Sequence, residues 1–212
     1  MFIDPTDTNA FRASLLNAIV APRPIGWIST VAVDGVPNLA PFSYFNAISA
    51  TPPIVLFAAN APADRHEKDT LANVRVVPEF VANFANYALR EALNQSSAPA
   101  PHGVSEFGIA GLTPAASARV RPPRVAEAAV NLECRVMQIV DLPPQGPVER
   151  HCAVVIGRVV GVQIADGLLD ADGRFNTAAA APIARLGGFD YATLGEIFEM
   201  ARPAWPPEDK EA

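Results

Sequence analysis

Proline constrains this chain more than any other residue type. Twenty-one of the 212 residues are proline, about twice the usual ~5%. A proline inside a helix removes a hydrogen bond and clashes with the preceding turn, at a cost of ~3 kcal/mol. Long helices are therefore excluded as the main architecture. Pro22, Pro24, Pro37, Pro41, Pro52 and Pro53 cut the first sixty residues into short pieces. Those pieces still hold enough apolar material for a core. Hydrophobic residues make up 50% of the chain, charged residues 18%, and the mean hydropathy is +0.18. Burying that surface offsets the entropy of ordering, which excludes global disorder. One domain over residues 1–212 is expected, with a loose tail from about residue 202.

The charge balance removes further classes. The formal net charge is −6 and the pI about 5.0. A protein that neutralises a phosphate backbone is basic, so nucleic acid is not expected as a partner. Cys134 and Cys152 are too few for a disulfide scaffold and sit in apolar, strand-like runs, so buried thiols are expected. The start, Met1 to Pro5, lacks the basic and apolar regions of a signal peptide. The apolar run at 54–63 is broken by Asn60 and Pro62 and is too short to span a bilayer. A cytoplasmic protein without a membrane partner is expected.

Hydrophobic periodicity orders the rest. Phe11, Leu15, Leu16 and Ile19 fall on one face of a short helix over 7–20, with Asp7 or Thr8 as cap and Pro22 as stop. Residues 25–33 (IGWISTVAV) then switch to β-branched and aromatic types, and Asp34-Gly35 is a hairpin signal. Residues 37–49 read as the returning strand, with Pro37 and Pro41 marking an edge or a bulge. The continuous apolar run 54–59 fits a strand buried on both faces. Further strands are expected at 79–85, 131–140 and 153–163, helices at 68–75 and 87–97, a loop at 99–111 and a turn at 170–173. Strands follow one another without a helix between every pair. That favours an antiparallel barrel with peripheral short helices over a doubly wound parallel sheet.

No phosphate loop, dinucleotide fingerprint, serine elbow or metal-binding histidine motif is present. His66, His102 and His151 are scattered, no metal site is expected, and Arg65, His66 and Glu67 read as a solvated loop. Three clusters remain, each with an ordinary reading beside the functional one. Ser29 and Thr30, with Arg23 upstream, can hold a phosphate or be plain strand residues. Residues 43–49 (SYFNAIS) combine aromatic and small polar groups, as the wall of a planar heteroaromatic ligand does, or form a twisted edge strand. Lys68, Asp69 and Thr70 open a helix, where free N–H groups and the dipole attract an anion, or Asp69 merely caps it. Arg185, ahead of Gly187-Gly188, is one more candidate cation.

These clusters, in this order, resemble the flavin reductase-like proteins of the FMN-binding split barrel, in the branch of flavoredoxin and the flavoprotein oxygenases. The resemblance is carried by RPIGWIST (23–30), PNLAPFSYFNAIS (37–49) with Pro52-Pro53, KDTL (68–71), EFGIAGLTP (106–114), PPRVAEAAVNLEC (122–134), IGRVVGV (156–162) and ARLGG (184–188). It covers about residues 17–191.

The resemblance implies a mainly β fold, a six-stranded antiparallel split barrel with peripheral short helices. It implies a homodimer with non-covalent FMN near the subunit interface. On the matching positions, Ser29, Thr30, Lys68, Thr70 and Arg185 become phosphate ligands, with Asp69 beside them. Ser43, Phe45, Asn46 and Ala47 become the isoalloxazine wall, and Trp27 packs near the ring or the interface. Arg185 serves its own chain or the partner's. The activity implied is hydride transfer from NADH or NADPH to the flavin N5, the electrons passing on to oxygen, an acceptor protein or a partner monooxygenase. The flavin carries that chemistry, so no catalytic residue is required; His151, at the start of a strand, is the one weak candidate for the nicotinamide site. Two alternatives remain: an electron-transfer flavoprotein with little NAD(P)H turnover, and a split barrel that binds another ligand without catalysis.

Overall fold

The structure is a computed structural model that describes residues 1–7, 10–62, 66–145, 149–203 and 205. Its elements in chain order are α1 (Ala13–Ile19), β1 (Arg23–Pro24), β2 (Gly26–Val31), β3 (Pro37–Phe42), β4 (Phe45–Ala50), β5 (Pro53–Asn60), α2 (Asp69–Val76), β6 (Glu79–Phe84), α3 (Arg90–Gln95), α4 (Glu106–Ile109), β7 (Pro114–Ala115), β8 (Arg124–Val125), β9 (Val130–Leu142), β10 (Cys152–Ile164), α5 (Thr177–Ala180), β11 (Ile183–Arg185) and β12 (Tyr191–Thr193).

Seven strands form one antiparallel sheet in the order β3-β2-β6-β9-β10-β5-β4. Its two edges, β3 and β4, are consecutive in the chain and separated only by Ser43 and Tyr44. A sheet whose edges are tied that closely must curl on itself, and the result is a barrel split along the β3/β4 seam. The single strand expected over 37–49 is thus two strands, because Phe42 ends pairing with β2 and Phe45 begins pairing with β5. This is why the sheet has seven strands where six were expected. Pro37 and Pro41 lie on β3, at the edge, where the missing N–H breaks no ladder. The Asp34-Gly35 turn is formed, with Gly35 at φ +92° and the Asp34 carboxylate accepting from the Val36 amide at 3.2 Å.

Other boundaries move for identifiable reasons. The first helix starts at Ala13, buries none of its residues and leaves Phe11 outside; Asp7 instead closes a separate turn, its carbonyl accepting from the Phe11 amide, while Thr8 lies outside the described residues. The helix expected at 87–97 shortens to α3, since Asn86 takes the Leu89 amide in a turn ahead of it. The stretch 99–111 carries α4. β5 alternates: Val55, Phe57 and Ala59 point inward, and only that face is fully buried.

The core divides in two. Inside the barrel lie Ile28, Phe42, Val55, Phe57, Phe80, Cys134 and Val155, with Leu71 and Val74 of α2 plugging one end. Outside β2 lies a second cluster, with Trp27, Leu39, Leu93, Phe107, Val125 and Ile183. β2 therefore stands between two cores, and all six of its residues are buried. A small sheet, β1-β11-β12, flanks the barrel. No helix among the described residues is long and apolar enough to cross a membrane.

Candidate functional site

β2 carries three of the expected ligand residues, and the structure turns all three inward. Trp27 has no exposed surface; its indole N–H donates to the Ser96 hydroxyl at 2.9 Å. Ser29, also fully buried, donates to the Pro123 carbonyl at 2.5 Å and accepts from the Asn83 amide at 3.2 Å. Asn83 goes on to bind the Trp27 carbonyl and the Val125 amide, and Asn131 joins it at 2.9 Å. This network pins the 113–125 segment over β2. Thr30 faces the opposite side, where the Asn73 amide of α2 donates to its hydroxyl at 3.0 Å. Trp27, Ser29 and Thr30, expected beside the flavin, are thus buried in the single chain, and their side-chain polar atoms bond within it. Arg23 is buried as well, donating to the carbonyls of Asn17, Val20 and Leu186.

The start of α2 is different. Lys68, Asp69 and Thr70 line a cavity of about 240 Å³ together with Asn38, Pro41 and the 96–100 segment. The first turn of α2 carries the positive end of the helix dipole, with Asp69 as its acidic residue. Thr70 is nearly buried, and its hydroxyl accepts from Asn38 at 3.1 Å; Asp69 meets His102 at 3.1 Å. The Lys68 ammonium lies 4.9 Å from the centre of the Phe42 ring. Phe42 ends β3, so this contact ties the helix start to the corner from which residues 43–47 emerge.

β4 is the outermost strand of the sheet on that side. Ser43 and Phe45 are half-buried, whereas Asn46, Ala47 and Ile48 are exposed. Phe45 packs against the inner core, and the Asn46 carboxamide accepts from the Ala47 amide at 2.9 Å. A register shift between Ala47 and Ser49 bends the strand. The sequence reading brings Ser43 to Ala47 and Lys68 to Thr70 to one site; in the structure Lys68 to Thr70 line the cavity, residues 43–47 do not, and the link between the two stretches is the Lys68 contact with Phe42. The structure does not bring Arg185 to the same cavity. That residue lines a separate groove beyond α3, where its guanidinium donates to the Tyr191 hydroxyl at 2.7 Å and to the Gly188 carbonyl.

His151 is mostly buried at the start of β10. One ring nitrogen meets Asp141 at 2.9 Å, the other is buried without a partner, and the ring stacks on His66 at 5.3 Å. Asp141 is also held by Arg75 of α2, which takes Glu67 at 3.1 Å. The Arg75 hydrogen bond keeps the Asp141 carboxyl below its ordinary range. His66 and Glu67 thus belong to an ordered network that ties α2 to the β9–β10 end, where a solvated loop was expected; Arg65 lies outside the described residues. Cys134 is buried and Cys152 half-buried, neither is in a disulfide, and burial pushes both thiols up. Among the described residues no group of three His, Cys, Asp or Glu is placed to hold a metal.

Sequence reasoning missed Asn38, Ser96 and Ser97 in the cavity wall and Tyr87 and Arg90 in the groove. Ser96 and Ser97 are the last two residues of the helix expected over 87–97, where small hydroxyl residues read as an ordinary terminus. Only the packing of α3 against β3 gives them a second meaning.

Comparison with known proteins places this geometry among relatives. A family model described as flavin reductase like domain matches residues 20–179. An uncharacterized protein of Halalkalibacterium halodurans is 39% identical over 189 residues, covering 89% of this chain and 90% of that one. The crystal structure of nitrilotriacetate monooxygenase component B from Bacillus cereus is similar at a TM-score of 0.87 and 34% identity, over 94% of this chain and 98% of the other. The Pseudomonas fluorescens 2-nitrobenzoate 2-nitroreductase is similar at 0.83 and 25% identity, over 99% of both chains. Flavoredoxin of Desulfovibrio vulgaris shares the fold at 0.72 and 18% identity, over 86% of this chain and 92% of that one.

Proposed function

The chain belongs to the flavin reductase-like domain family, and from that premise we propose that it is an FMN-binding oxidoreductase reduced by NADH or NADPH. The observation that carries the site is the Lys68 contact with Phe42, which sets a cation and a helix start beside the corner of an exposed edge strand. The donor set suits FMN at both of its ends. A phosphate leaving water needs charge and N–H donors, and Lys68 with the first turn of α2 offers them. A flavin ring needs an apolar face and backbone groups at its polar edge. The β4 edge, with half-buried Phe45, exposed Ala47 and the Asn46 carboxamide, offers those.

Lys68 and the α2 terminus would hold the phosphate, and Ser43, Phe45, Asn46 and Ala47 would line the ring. FMN held there would supply the two-electron redox chemistry between a nicotinamide donor and an acceptor. The protein's part is to bind and orient, with no nucleophile or metal. This reading gives His151 no nicotinamide role: one ring nitrogen meets Asp141 and the other is buried.

The relative named as a monooxygenase component supports a partner oxygenase as one consumer of the reduced flavin. A homodimer is part of this reading, with the flavin near the interface. It is supported by the outer edge of β4 and by the apolar side chains Leu194, Ile197, Phe198 and Met200, all exposed on the single chain. The two free thiols suit a reducing, cytoplasmic setting.

Visible absorption of the purified protein with added FMN, followed by anaerobic NADH or NADPH, tests the proposal. Flavin bands that bleach on addition of either nucleotide support a reductase. Bands that appear and persist point to the electron-transfer alternative. Failure to bind FMN contradicts the reading altogether.

A further inference from the structure

Beyond α3 lies a groove of about 500 Å³, separate from the Lys68 cavity. Volumes of ~300–1,000 Å³ are those of small-molecule sites. Two arginines line it, and each is set by its own tyrosine. The Arg90 guanidinium lies 4.1 Å from the Tyr87 ring centre and donates to the Tyr87 carbonyl at 2.9 Å. The Arg185 guanidinium lies 4.7 Å from the Tyr191 ring centre and donates to its hydroxyl at 2.7 Å. These bonds fix the two forks without using all of their N–H donors. Phe189, 95% exposed, stands on the same wall, as does Asn94. Glu91 also lines the groove, 3.5 Å from Arg90 and largely exposed.

In a chain of net charge −6, two oriented guanidiniums among three aromatic rings form a local exception. The chemistry that matches is a planar ring bearing a phosphate: the ring stacks on the aromatic and guanidinium faces, and the phosphate takes the forks. We propose that this groove binds the adenosine phosphate end of the dinucleotide reductant, with Arg90 and Arg185 on a 2′-phosphate, so that the protein prefers NADPH to NADH. The proposal rests on the oxidoreductase reading and reassigns Arg185 from the flavin phosphate to the reductant. It also explains why Arg185 and Lys68 do not share a cavity. α3 separates the two: Asn94 faces this groove, while the residues just after the helix, from Ser96, face the other.

Calorimetric titration of 2′,5′-ADP and of 5′-AMP into the protein, with and without FMN, is the test, alongside separate FMN titrations. The wild type is expected to bind 2′,5′-ADP at least about tenfold more tightly than 5′-AMP. Arg90→Ala and Arg185→Ala should each weaken 2′,5′-ADP by about tenfold or more, and Arg90→Ala should leave FMN affinity unchanged. In turnover, Arg90→Ala should raise the KM for NADPH by a larger factor than that for NADH. Equal affinity for the two adenosine phosphates overturns the proposal, as does 2′,5′-ADP binding that ignores both arginines. Loss of FMN affinity in Arg185→Ala equal to the loss of 2′,5′-ADP also overturns it, and returns Arg185 to the flavin site. If FMN fails to bind the wild type while 2′,5′-ADP binds through the arginines, the cofactor reading fails and the groove stands.

Discussion

β2 and β4 are both six-residue strands built from an aromatic residue and small or polar ones, GWISTV and FNAISA, and their fates are opposite. Every residue of β2 is buried, while none of β4 is fully buried and Asn46, Ala47 and Ile48 stand in solvent. Position in the sheet makes the difference. β2 lies between β3 and β6, with α2 against one face and the 113–125 segment against the other. β4 pairs with β5 alone. A buried hydroxyl must find a partner inside the chain, so Ser29 and Thr30 become structural bonds. An edge strand keeps its backbone groups and small side chains available for a ligand. The lesson is that a hydroxyl-rich strand is a candidate site only where the sheet leaves it uncovered.

The largest expected effect tests the buried half. Trp27→Ala removes a fully buried indole and the Ser96 hydrogen bond; it should cost ~3–5 kcal/mol in denaturant unfolding. A change below about 1 kcal/mol would mean that β2 is not a shared wall between two cores. Next is the contact between the two strands. A Cβ at Gly26 would lie 2.5 Å from the Phe45 ring, so Gly26→Ala must push a β4 residue aside. It should cost about 1–3 kcal/mol and also weaken FMN. Unchanged FMN affinity in a destabilised Gly26→Ala protein would remove Phe45 from the ring wall.

Ser29→Ala follows, leaving the Pro123 carbonyl without its donor, with an expected loss of ~1–3 kcal/mol. The smallest effect concerns pH. Arg75 holds the Asp141 carboxyl below its ordinary value, so the folded state binds that proton less readily than the unfolded one. Its contribution is present above the unfolded value of about 3.9 and is lost as pH falls through the lowered folded value. Asp141→Asn should therefore flatten the acid limb of the stability curve below about pH 4. A limb identical to that of the wild type would show that the tie between α2 and β9 carries no stability.

Much of the architecture was legible because its causes are local. The prolines bound the strands, Asp34-Gly35 fixes a hairpin, and the switch from helical to alternating periodicity at Ile25 marks the barrel's start. What stayed hidden depends on cover from distant residues. Nothing near Ser29 announces that the Pro123 carbonyl, 94 residues away, will accept its hydrogen bond. The break at Ser43-Tyr44 was invisible for a related reason: both halves favour extended backbone, and only their different partners separate β3 from β4. The helix start at Lys68 to Thr70 was legible because it is a local feature, yet the Ser96 and Ser97 wall of the same cavity was not. Arg185 was legible as a cation, but its groove depends on α3 and β12 meeting across the chain.

The central claim is that the flavin is held by the exposed corner and the start of α2, and not by β2. Titration of FMN into wild type, Lys68→Ala and Ser29→Ala, each first shown to be folded, tests it most directly. The account predicts that Lys68→Ala weakens FMN by at least about tenfold, the loss of a charged phosphate partner, while Ser29→Ala stays within about twofold of the wild type. Lys68→Ala at wild-type affinity, with Ser29→Ala the variant that loses FMN, would contradict it and return the phosphate to β2.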